Sequence, residues 1–325
     1  MCGLAGVIFN NKSWKGVSFL EKNLKKMSKA ISHRGPDDKD IFIDESHKIG
    51  LCFQRLSILD LTKLAKQPMI SKSKKWVMVY NGEVYNYQEL KKSVSHASNF
   101  WITNADTEVV LENIDKYGFE KTISNLNGMF AIAAYCFSSN TLWLARDRFG
   151  EKPLYYSLNK QLDFFFSSEI KALIAFSGFN KNISSFAVAN YLRYGYVPDP
   201  LCILEDTYKL QPGEIVRYKE GSSIKKGKYW DSKKEFEQMR TTSFKGSYLE
   251  AKEAVKYKLS NVCKERMISD VPVGTFLSGG IDSTSIVLSL VNQNISINTF
   301  SVGFYDKKTD ESEYANLVAN KLNTN

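Results

Sequence analysis

The chain begins with MCGLAGVIF (residues 1–9), a short apolar run that carries a cysteine at its second position. The length of the run and its valine, isoleucine and phenylalanine are typical of a β-strand. Removal of Met1 would leave Cys2 with a thiol and a free α-amino group, whose pKa of about 7.7–8.0 lets it accept the thiol proton. The stretch is therefore compatible with a strand that presents an N-terminal nucleophile, but taken alone it favours a small buried cysteine, the commoner role of a single cysteine.

Similar strand-like runs, bounded by turn residues, continue through the first two thirds of the chain. They begin at Gly50 (GLCFQRLSI), Trp76 (WVMVYNGEVY), Met129 (MFAIAAYCF) and Asp163 (DFFFSSE). Ser138, Ser139 and Asn140 separate MFAIAAYCF from TLWLARD, which predicts a β-hairpin with a three-residue connection.

A helix is predicted between these strands at TEVVLENIDKYG (residues 107–118). Val110, Ile114 and Tyr117 share one face, and Gly118 stands at the C-terminal cap. The first part of the chain therefore combines antiparallel sheet with helices.

The segment Tyr80-Asn81-Gly82-Glu83 contains an Asn-Gly pair, which predicts a turn between two strands. A nucleophile that attacks an amide also needs donors for the oxyanion. The side-chain NH₂ of Asn81 and a closely approaching backbone N–H at Gly82 would supply them. We expect the turn and interpret the pair as an oxyanion hole for Cys2.

Periodicity is lost in DSKKEFEQMRTTSFK (residues 231–245), which predicts a linker. A capping box at Ser247 and Glu250 then starts a long helix with an apolar face at Ala251, Val255, Leu259 and Val262. Strand, glycine turn, helix and strand follow in VPVGTFLSGGIDSTSIVLSL and INTFSVGF. This alternation predicts a parallel α/β sheet in a second domain.

The loop between the first strand and the helix of that domain reads SGGIDS (residues 278–283). Glycine-rich backbone N–H groups at a helix N-terminus suit phosphate groups. The spacing is neither a Walker A motif nor a G-x-G-x-x-G fingerprint, so an ordinary glycine turn is the alternative.

Composition excludes several classes of protein. The 325 residues are 43% hydrophobic and 24% charged, which suggests about two globular domains. Five scattered cysteines and three histidines favour neither a disulfide scaffold nor a zinc site. The net charge of +9 comes from dispersed lysines, so we expect no nucleic-acid partner. No membrane span or signal peptide is recognisable, and a cytoplasmic protein is expected.

Seven motifs, in this order, resemble those of class II glutamine amidotransferases, and their combination resembles the glutamine-hydrolysing asparagine synthetases. They are MCGLAG, SHRGPDD, QRLSILD, YNGEVYN, ADTE, NGMFAIA and ARDRFGEKPLYY. The resemblance implies an α+β N-terminal nucleophile hydrolase sandwich with α/β/β/α layers at residues 1–230. A linker at 231–246 and the first part of an α/β parallel-sheet, ATP-pyrophosphatase-like synthetase domain at 247–325 would follow.

The same resemblance assigns roles to residues of the first domain. Cys2 would form the thioester, with Asn81 and Gly82 as catalytic partners. Arg55 would hold the substrate carboxylate with its planar fork, and Asp106 the α-ammonium. The remaining glutamine-binding residues would be Leu56, Ser57, Ile58, Leu59 and Glu83. From the residues alone, Asp106 would be the N-cap of the helix that follows it.

For the second domain, the resemblance implies an AMP-forming ATP site. Leu277 and Val302 would contact the adenosine. The phosphates would be held by the loop residues Ser278, Gly279, Gly280, Asp282 and Ser283. Asp282 would also help to position Mg²⁺.

The implied reaction activates aspartate as an acyl-adenylate with ATP and amidates it with ammonia released from glutamine. Glutamine, aspartate and ATP would be the partners, and a homodimer is a further expectation. The motifs equally fit a paralogue that amidates another carboxylic acid, such as a sugar acid, and leave open a glutaminase-only or non-catalytic fragment. Because the family's synthetase domain extends further, we expect these 325 residues to hydrolyse glutamine weakly at most and to make no asparagine.

Overall fold

The computed structural model describes residues 1–306 and 308–325. Its strands are β1 Gly3–Ile8, β2 Asp38–Asp44, β3 Ile49–Arg55, β4 Met69–Ile70, β5 Trp76–Val84, β6 Gly128–Cys136, β7 Thr141–Arg146, β8 Tyr155–Leu158, β9 Phe164–Ser167, β10 Thr207–Lys209, β11 Glu214–Lys219, β12 Lys225–Lys228, β13 Gly274–Phe276 and β14 Asn298–Phe300. Its α-helices are α1 Val17–Ala30, α2 Tyr87–Val94, α3 Asp106–Tyr117, α4 Phe119–Asn125, α5 Ile170–Ala175, α6 Ser185–Tyr194, α7 Ser232–Thr241, α8 Tyr248–Glu265, α9 Ile281–Val291 and α10 Ser312–Leu322. The chain forms two compact units, Met1–Glu237 and Gln238–Asn325.

Two antiparallel six-stranded sheets build the first unit, in the orders β10-β8-β9-β1-β3-β2 and β12-β11-β7-β6-β5-β4. Side chains of both sheets meet in one buried core, for example Leu4 and Phe53 of the first and Val79 and Ala133 of the second. Helices α1 and α5 cover the outer face of the first sheet, and α3 lies on the second. The predicted α/β/β/α sandwich is confirmed.

The predicted strands and helix of this unit are present, with differences in the hairpin connection and at the end of the helix. Strands β6 and β7 form the expected hairpin, with Cys136 opposite Thr141, so that four residues connect them instead of three. Helix α3 ends at Gly118, whose φ of 87° suits glycine. Val110 and Ile114 are fully buried on its inner face, whereas Tyr117 at its end is 37% exposed.

The segment predicted as a linker contains helix α7. Its side chains are exposed or half-buried, and its apolar residues Phe236 and Met239 are both exposed. A helix without a buried apolar face is difficult to recognise from periodicity.

In the second unit, β13 and β14 pair in parallel, as the strand–helix alternation predicts. A small core forms between α8, α9, α10 and the strands, and includes Leu277, Val287 and Leu290. The capping box of Ser247 is present at the start of α8. The apolar face predicted along α8 is not buried throughout, since Val255 is 68% exposed.

Across both described segments of the chain, no helix combines the length and the apolar character that crossing a bilayer would require.

Candidate active site

Residues from four elements meet around a small cavity in the first unit. Cys2 lies just before β1 and Arg55 at the end of β3, and the pairing of Gly3 with Gln54 brings these positions together. Strand β5 adds Gly82 and Glu83, and α3 begins with Asp106. The predicted glutamine-site residues that line this cavity with Cys2 are Arg55, Leu56, Ile58, Leu59, Gly82, Glu83 and Asp106.

The thiol of Cys2 lies against the backbone of Leu56. Its Sγ is 3.4 Å from the Leu56 nitrogen, which donates to it, and 3.5 Å from the Leu56 carbonyl oxygen. Burial raises the pKa of Cys2, and the negative charge of Glu83 adds to this effect. The resting group is therefore a neutral thiol, which needs a base before it can attack a carbonyl carbon.

Arg34 fixes the backbone of Cys2, a role that sequence reasoning missed. Its Nε donates to the Cys2 carbonyl oxygen at 2.8 Å, and its Nη1 donates to Glu169 Oε1 at 2.8 Å. Burial opposes ionisation of Glu169, but hydrogen bonds from Arg34, Lys171 and His33 lower its pKa to about 2. The sequence signal was the SHRGPDD motif, which carried no assigned role, and Glu169 lies 135 positions further along the chain.

The guanidinium of Arg55 is buried beneath the loop that follows β3. Its nitrogens donate to the carbonyl oxygens of Thr62 at 2.8 Å and Leu59 at 3.4 Å, and also to that of Asp60. Arg55 thus places its positive charge at the cavity wall and also fixes the loop through these hydrogen bonds. Ser57 in this loop donates its backbone N–H to Asp37 Oδ2 at 2.7 Å.

Two carboxyl groups, the half-buried Glu83 and the buried Asp106, line the same cavity as this charge. Asp106 Oδ2 accepts hydrogen bonds from the Tyr80 hydroxyl at 2.6 Å and from the Val84 N–H at 2.9 Å. Burial raises the pKa of Asp106, while burial and the neighbouring Asp106 charge raise that of Glu83. Such a pair is well matched to a ligand cation, whose arrival would favour both ionised forms.

The prediction that Asp106 caps α3 is wrong. Ala105 occupies the cap position, and Asp106 is the first helical residue. Its carboxylate instead bonds to the strand β5, through Tyr80 and Val84.

The turn predicted at Asn81-Gly82 is also wrong, because both residues lie inside β5. Asn81 pairs with Ala131 and Gly82 with Phe130 of β6. A Cβ at Gly82 would lie 2.2 Å from the Met129 carbonyl oxygen. The glycine therefore serves a close approach of two strands, which overrides the local turn preference.

Asn81 is 1% exposed, and its Nδ2 has no hydrogen-bond partner among the described residues. Side chains alternate along a strand, so Asn81 and Glu83 project to the same side as Val79, which faces the space between the sheets. Cys2 packs against this same core. Neither Asn81 nor Ser57 is among the described residues that line the cavity.

Lys152, from the ARDRFGEKPLYY motif, is a second residue that sequence reasoning missed. It is 8% exposed. Burial lowers the pKa of the Lys152 amine. Electrostatic interactions with Glu83 and Cys2 act in the opposite direction and raise it. Lys152 is thus a buried amine that interacts electrostatically with Glu83 and Cys2, although it does not line the cavity.

The predicted phosphate loop lies between β13 and α9 in the second unit. Gly279 has a φ of 81°, and a Cβ there would lie 2.6 Å from Tyr314. The Ser278 and Ser283 hydroxyls are 3.1 Å apart, and Ser278 accepts from the Gly280 N–H at 3.4 Å. The backbone N–H groups of this compact turn at a helix start suit an anion, although the Asp282 carboxylate also lies in the first turn of α9.

A separate cavity of the second unit contains both predicted adenosine contacts, Leu277 and Val302, together with Ser278. Its aromatic walls are Phe276, Phe300 and Phe304, which the sequence analysis did not single out. Of the predicted ATP-site residues, Gly279, Gly280, Asp282 and Ser283 belong to the adjoining loop and helix start.

The side chains around this loop determine whether it could help to bind the predicted Mg²⁺. Within residues 1–306 and 308–325, no group of three acidic, histidine or cysteine side chains could hold a metal ion. Asp282 is an exposed carboxylate in the first turn of α9. One such oxygen ligand suits Mg²⁺ that is bound largely through phosphate oxygens and water.

Comparison with known proteins divides the chain in the same way. Residues 1–230 match the family model of the glutamine amidotransferase domain, and residues 254–325 match that of asparagine synthase.

Two curated relatives match almost the whole chain. A putative glutamine-hydrolysing asparagine synthetase of Methanocaldococcus jannaschii is 36% identical over 100% of this chain and 64% of its own length. Glutamine-hydrolysing asparagine synthetase 1 of Bacillus subtilis is 36% identical over 99% of this chain and 49% of its own length. The chain thus spans between about half and two thirds of these relatives.

Among solved structures, a glutamine phosphoribosylpyrophosphate amidotransferase from B. subtilis covers 92% of this chain and 65% of its own, with a TM-score of 0.50 and 15% identity. An allosteric regulatory enzyme of purine biosynthesis covers 95% of this chain and 67% of its own, with a TM-score of 0.51 and 14% identity. At this identity the likeness concerns the fold alone.

Proposed function

Because the chain belongs to the glutamine amidotransferase family and continues into an asparagine synthase domain, we propose that it hydrolyses glutamine at Cys2 to supply ammonia for the ATP-dependent, AMP-forming amidation of aspartate. One observation carries the proposal. The cavity beside the Cys2 thiol offers a guanidinium at Arg55 and two carboxyl groups, one half-buried at Glu83 and one buried at Asp106. These charges complement the carboxylate and α-ammonium of an amino acid whose amide points at sulfur.

The first step follows from the chemistry of Cys2. After removal of Met1, the α-amino group takes the thiol proton as sulfur attacks the amide carbon of glutamine. The oxyanion that forms accepts hydrogen bonds from Asn81 Nδ2 and the Gly82 N–H. Collapse expels ammonia, which leaves with the proton held by the amine, and water then cleaves the thioester to glutamate.

The second unit would contribute the nucleotide-binding half. ATP, when bound with Mg²⁺, activates the β-carboxylate of aspartate by adenylation and releases pyrophosphate. Ser278, Ser283 and the first N–H groups of α9 would hold the phosphates, and the aromatic cavity would take the adenine. We place the reaction in the cytoplasm, where these substrates occur, and the homodimer remains a prediction that light scattering would test.

The test uses L-glutamine labelled with ¹⁵N at its amide. We expect labelled ammonia from the purified chain and none from Cys2→Ala. Absence of Cys2-dependent release from a folded protein would contradict the proposal. Because these 325 residues alone are expected to make no asparagine, the acceptor is tested on a chain that spans the full length of the relatives, with ATP, Mg²⁺, aspartate and a uronic acid present. Label in asparagine would support aspartate as the acceptor, and label in the uronic acid amide instead would replace it.

Arg55→Lys should raise the KM for glutamine about tenfold to a hundredfold. A lysine keeps the charge but cannot offer the planar fork to a carboxylate while holding the loop carbonyls. Steady-state glutaminase kinetics measure the effect. Arg148→Lys is the matched control, because Arg148 also donates to two backbone carbonyls, of Leu126 and Ser124, outside the cavity. Equal KM values for both variants would contradict the role of Arg55.

Gly279→Ala should weaken binding of ATP with Mg²⁺ by about tenfold or more and leave glutaminase activity intact. The new Cβ would clash with Tyr314, and the alanine would also have to adopt the positive φ of Gly279. Both effects distort the loop. Isothermal titration calorimetry measures the affinity. Gly221→Ala shares the positive φ, at 73°, but has open space around its Cβ, so it should leave ATP affinity unchanged.

A further inference from the structure

The contact between Tyr80 and Asp106 is unusual for its length and its burial. The Tyr80 hydroxyl donates to Asp106 Oδ2 at 2.6 Å, and the two residues are 2% and 4% exposed. An O–H···O distance of about 2.5–2.7 Å is typical of a hydroxyl that donates to an ionised carboxylate. The bond therefore favours the charged form of Asp106 in a place where burial disfavours it.

Tyr80 is itself held by the side chain of Gln67, which completes the hydrogen bonding of the sheet edge. Strand β4 pairs with β5 only at Met78 and Val77, so it stops short of Tyr80. Beyond that point, Gln67 Oε1 accepts from the Tyr80 N–H at 2.6 Å, and Gln67 Nε2 donates to the Tyr80 carbonyl oxygen at 3.1 Å. A side-chain amide thus replaces the missing strand.

The same Gln67 Nε2 lies 3.4 Å from Thr107 Oγ1, next to Asp106 in α3. Gln67, Tyr80, Asp106 and Thr107 all line the cavity and are each at most 5% exposed. Strand β5 and the start of α3 are therefore tied together by a closed set of hydrogen bonds around one carboxylate.

We propose that Tyr80, held by Gln67, is a positioning residue that orients the Asp106 carboxylate toward the α-ammonium of glutamine. The inference rests on the proposed function, since it concerns how the proposed glutamine site binds the α-ammonium group of its substrate. The α-ammonium keeps its charge through the reaction, so its contact with Asp106 contributes equally to substrate and transition-state binding. Loss of the Tyr80 hydroxyl should raise KM and leave kcat nearly unchanged.

The experiment measures ligand binding to Cys2→Ala protein, with and without Tyr80→Phe, by isothermal titration calorimetry. Two ligands are compared: L-glutamine and glutaramate, which keeps the carboxylate and the amide but lacks the α-ammonium. We expect Tyr80→Phe to weaken glutamine binding about tenfold and to leave glutaramate binding unchanged. In the protein with Cys2 intact, KM should rise by the same factor.

Tyr218→Phe is the matched control. Tyr218 is 1% exposed, and its hydroxyl donates to the Leu162 carbonyl oxygen at 2.5 Å, outside the cavity. The Tyr218→Phe variant should lower the melting temperature as Tyr80→Phe does, but it should leave the affinity for both ligands unchanged.

Three results would overturn the inference: unchanged glutamine affinity in Tyr80→Phe, equal weakening of both ligands, or no glutamine binding to Cys2→Ala protein. Glutamine turnover by the wild-type protein distinguishes a failure of this inference from a failure of the proposed function. Cys2-dependent glutaminase activity combined with an unaffected Tyr80→Phe variant would reject the role of Tyr80 alone.

Discussion

Cys2→Ala should lower glutaminase turnover by at least about 10³-fold and leave the fold intact. The covalent route needs the sulfur, and the remaining groups of the site can only bind glutamine and polarise its amide. Cys2 is a small residue at the edge of the inter-sheet core, so its loss should change the free energy of unfolding little. Glutamate release and thermal unfolding measure the two effects.

Cys136→Ala serves as the control for removal of a buried thiol. Cys136 is 7% exposed at the end of β6, and it should retain full activity. Mass spectrometry of the active protein provides a second check. Since burial raises the pKa of Cys2, the thiol needs the α-amino group as a base, and an active protein that retained Met1 would contradict this mechanism.

Much of the first unit could be predicted from the sequence because its strands are short apolar runs with clear ends. The runs at residues 1–9, 76–85 and 129–137 correspond to β1, β5 and β6. Predictions from local sequence patterns were wrong where contacts with another segment determined the conformation. The Asn81-Gly82 pair reads as a turn, but β6 continues along β5 to Val84 and Gly128, and glycines on both strands permit the close approach.

The candidate site was predictable only for residues whose chemistry stands out within a motif. Cys2 was singled out by its own chemistry, whereas Arg55 and Asp106 were assigned through the resemblance of their motifs; the cavity contains all three. Arg34 and Lys152 were missed because their roles depend on partners that are distant in sequence, such as the bond from Arg34 to the Cys2 carbonyl oxygen. Asp106 was mistaken for a cap because its true partner, Tyr80, lies 26 residues away.

The second large effect is expected at Asn81, whose substitution should separate stability from activity. Most buried amide groups are hydrogen-bonded, and an unpaired one costs about 1–3 kcal/mol. Asn81 Nδ2 is such a group among the described residues. Asn81 projects from β5 toward the inter-sheet core against which Cys2 packs, so its unpaired donor would be available to an oxyanion that exists only during the reaction.

Asn81→Ala should therefore lower kcat about 10²–10³-fold, with little change in KM and a small loss of stability, because no hydrogen bond of Nδ2 is broken. Asn23→Ala is the matched comparison. Asn23 is also 1% exposed, but its Nδ2 donates to the Phe19 carbonyl oxygen at 2.8 Å and its Oδ1 accepts from the Ser177 N–H at 2.7 Å. That variant should lose more unfolding free energy and keep its kcat. If Asn81→Ala instead unfolded as readily as Asn23→Ala and turned over glutamine normally, Asn81 would be a structural residue of β5, and the oxyanion would have to be stabilised by other donors.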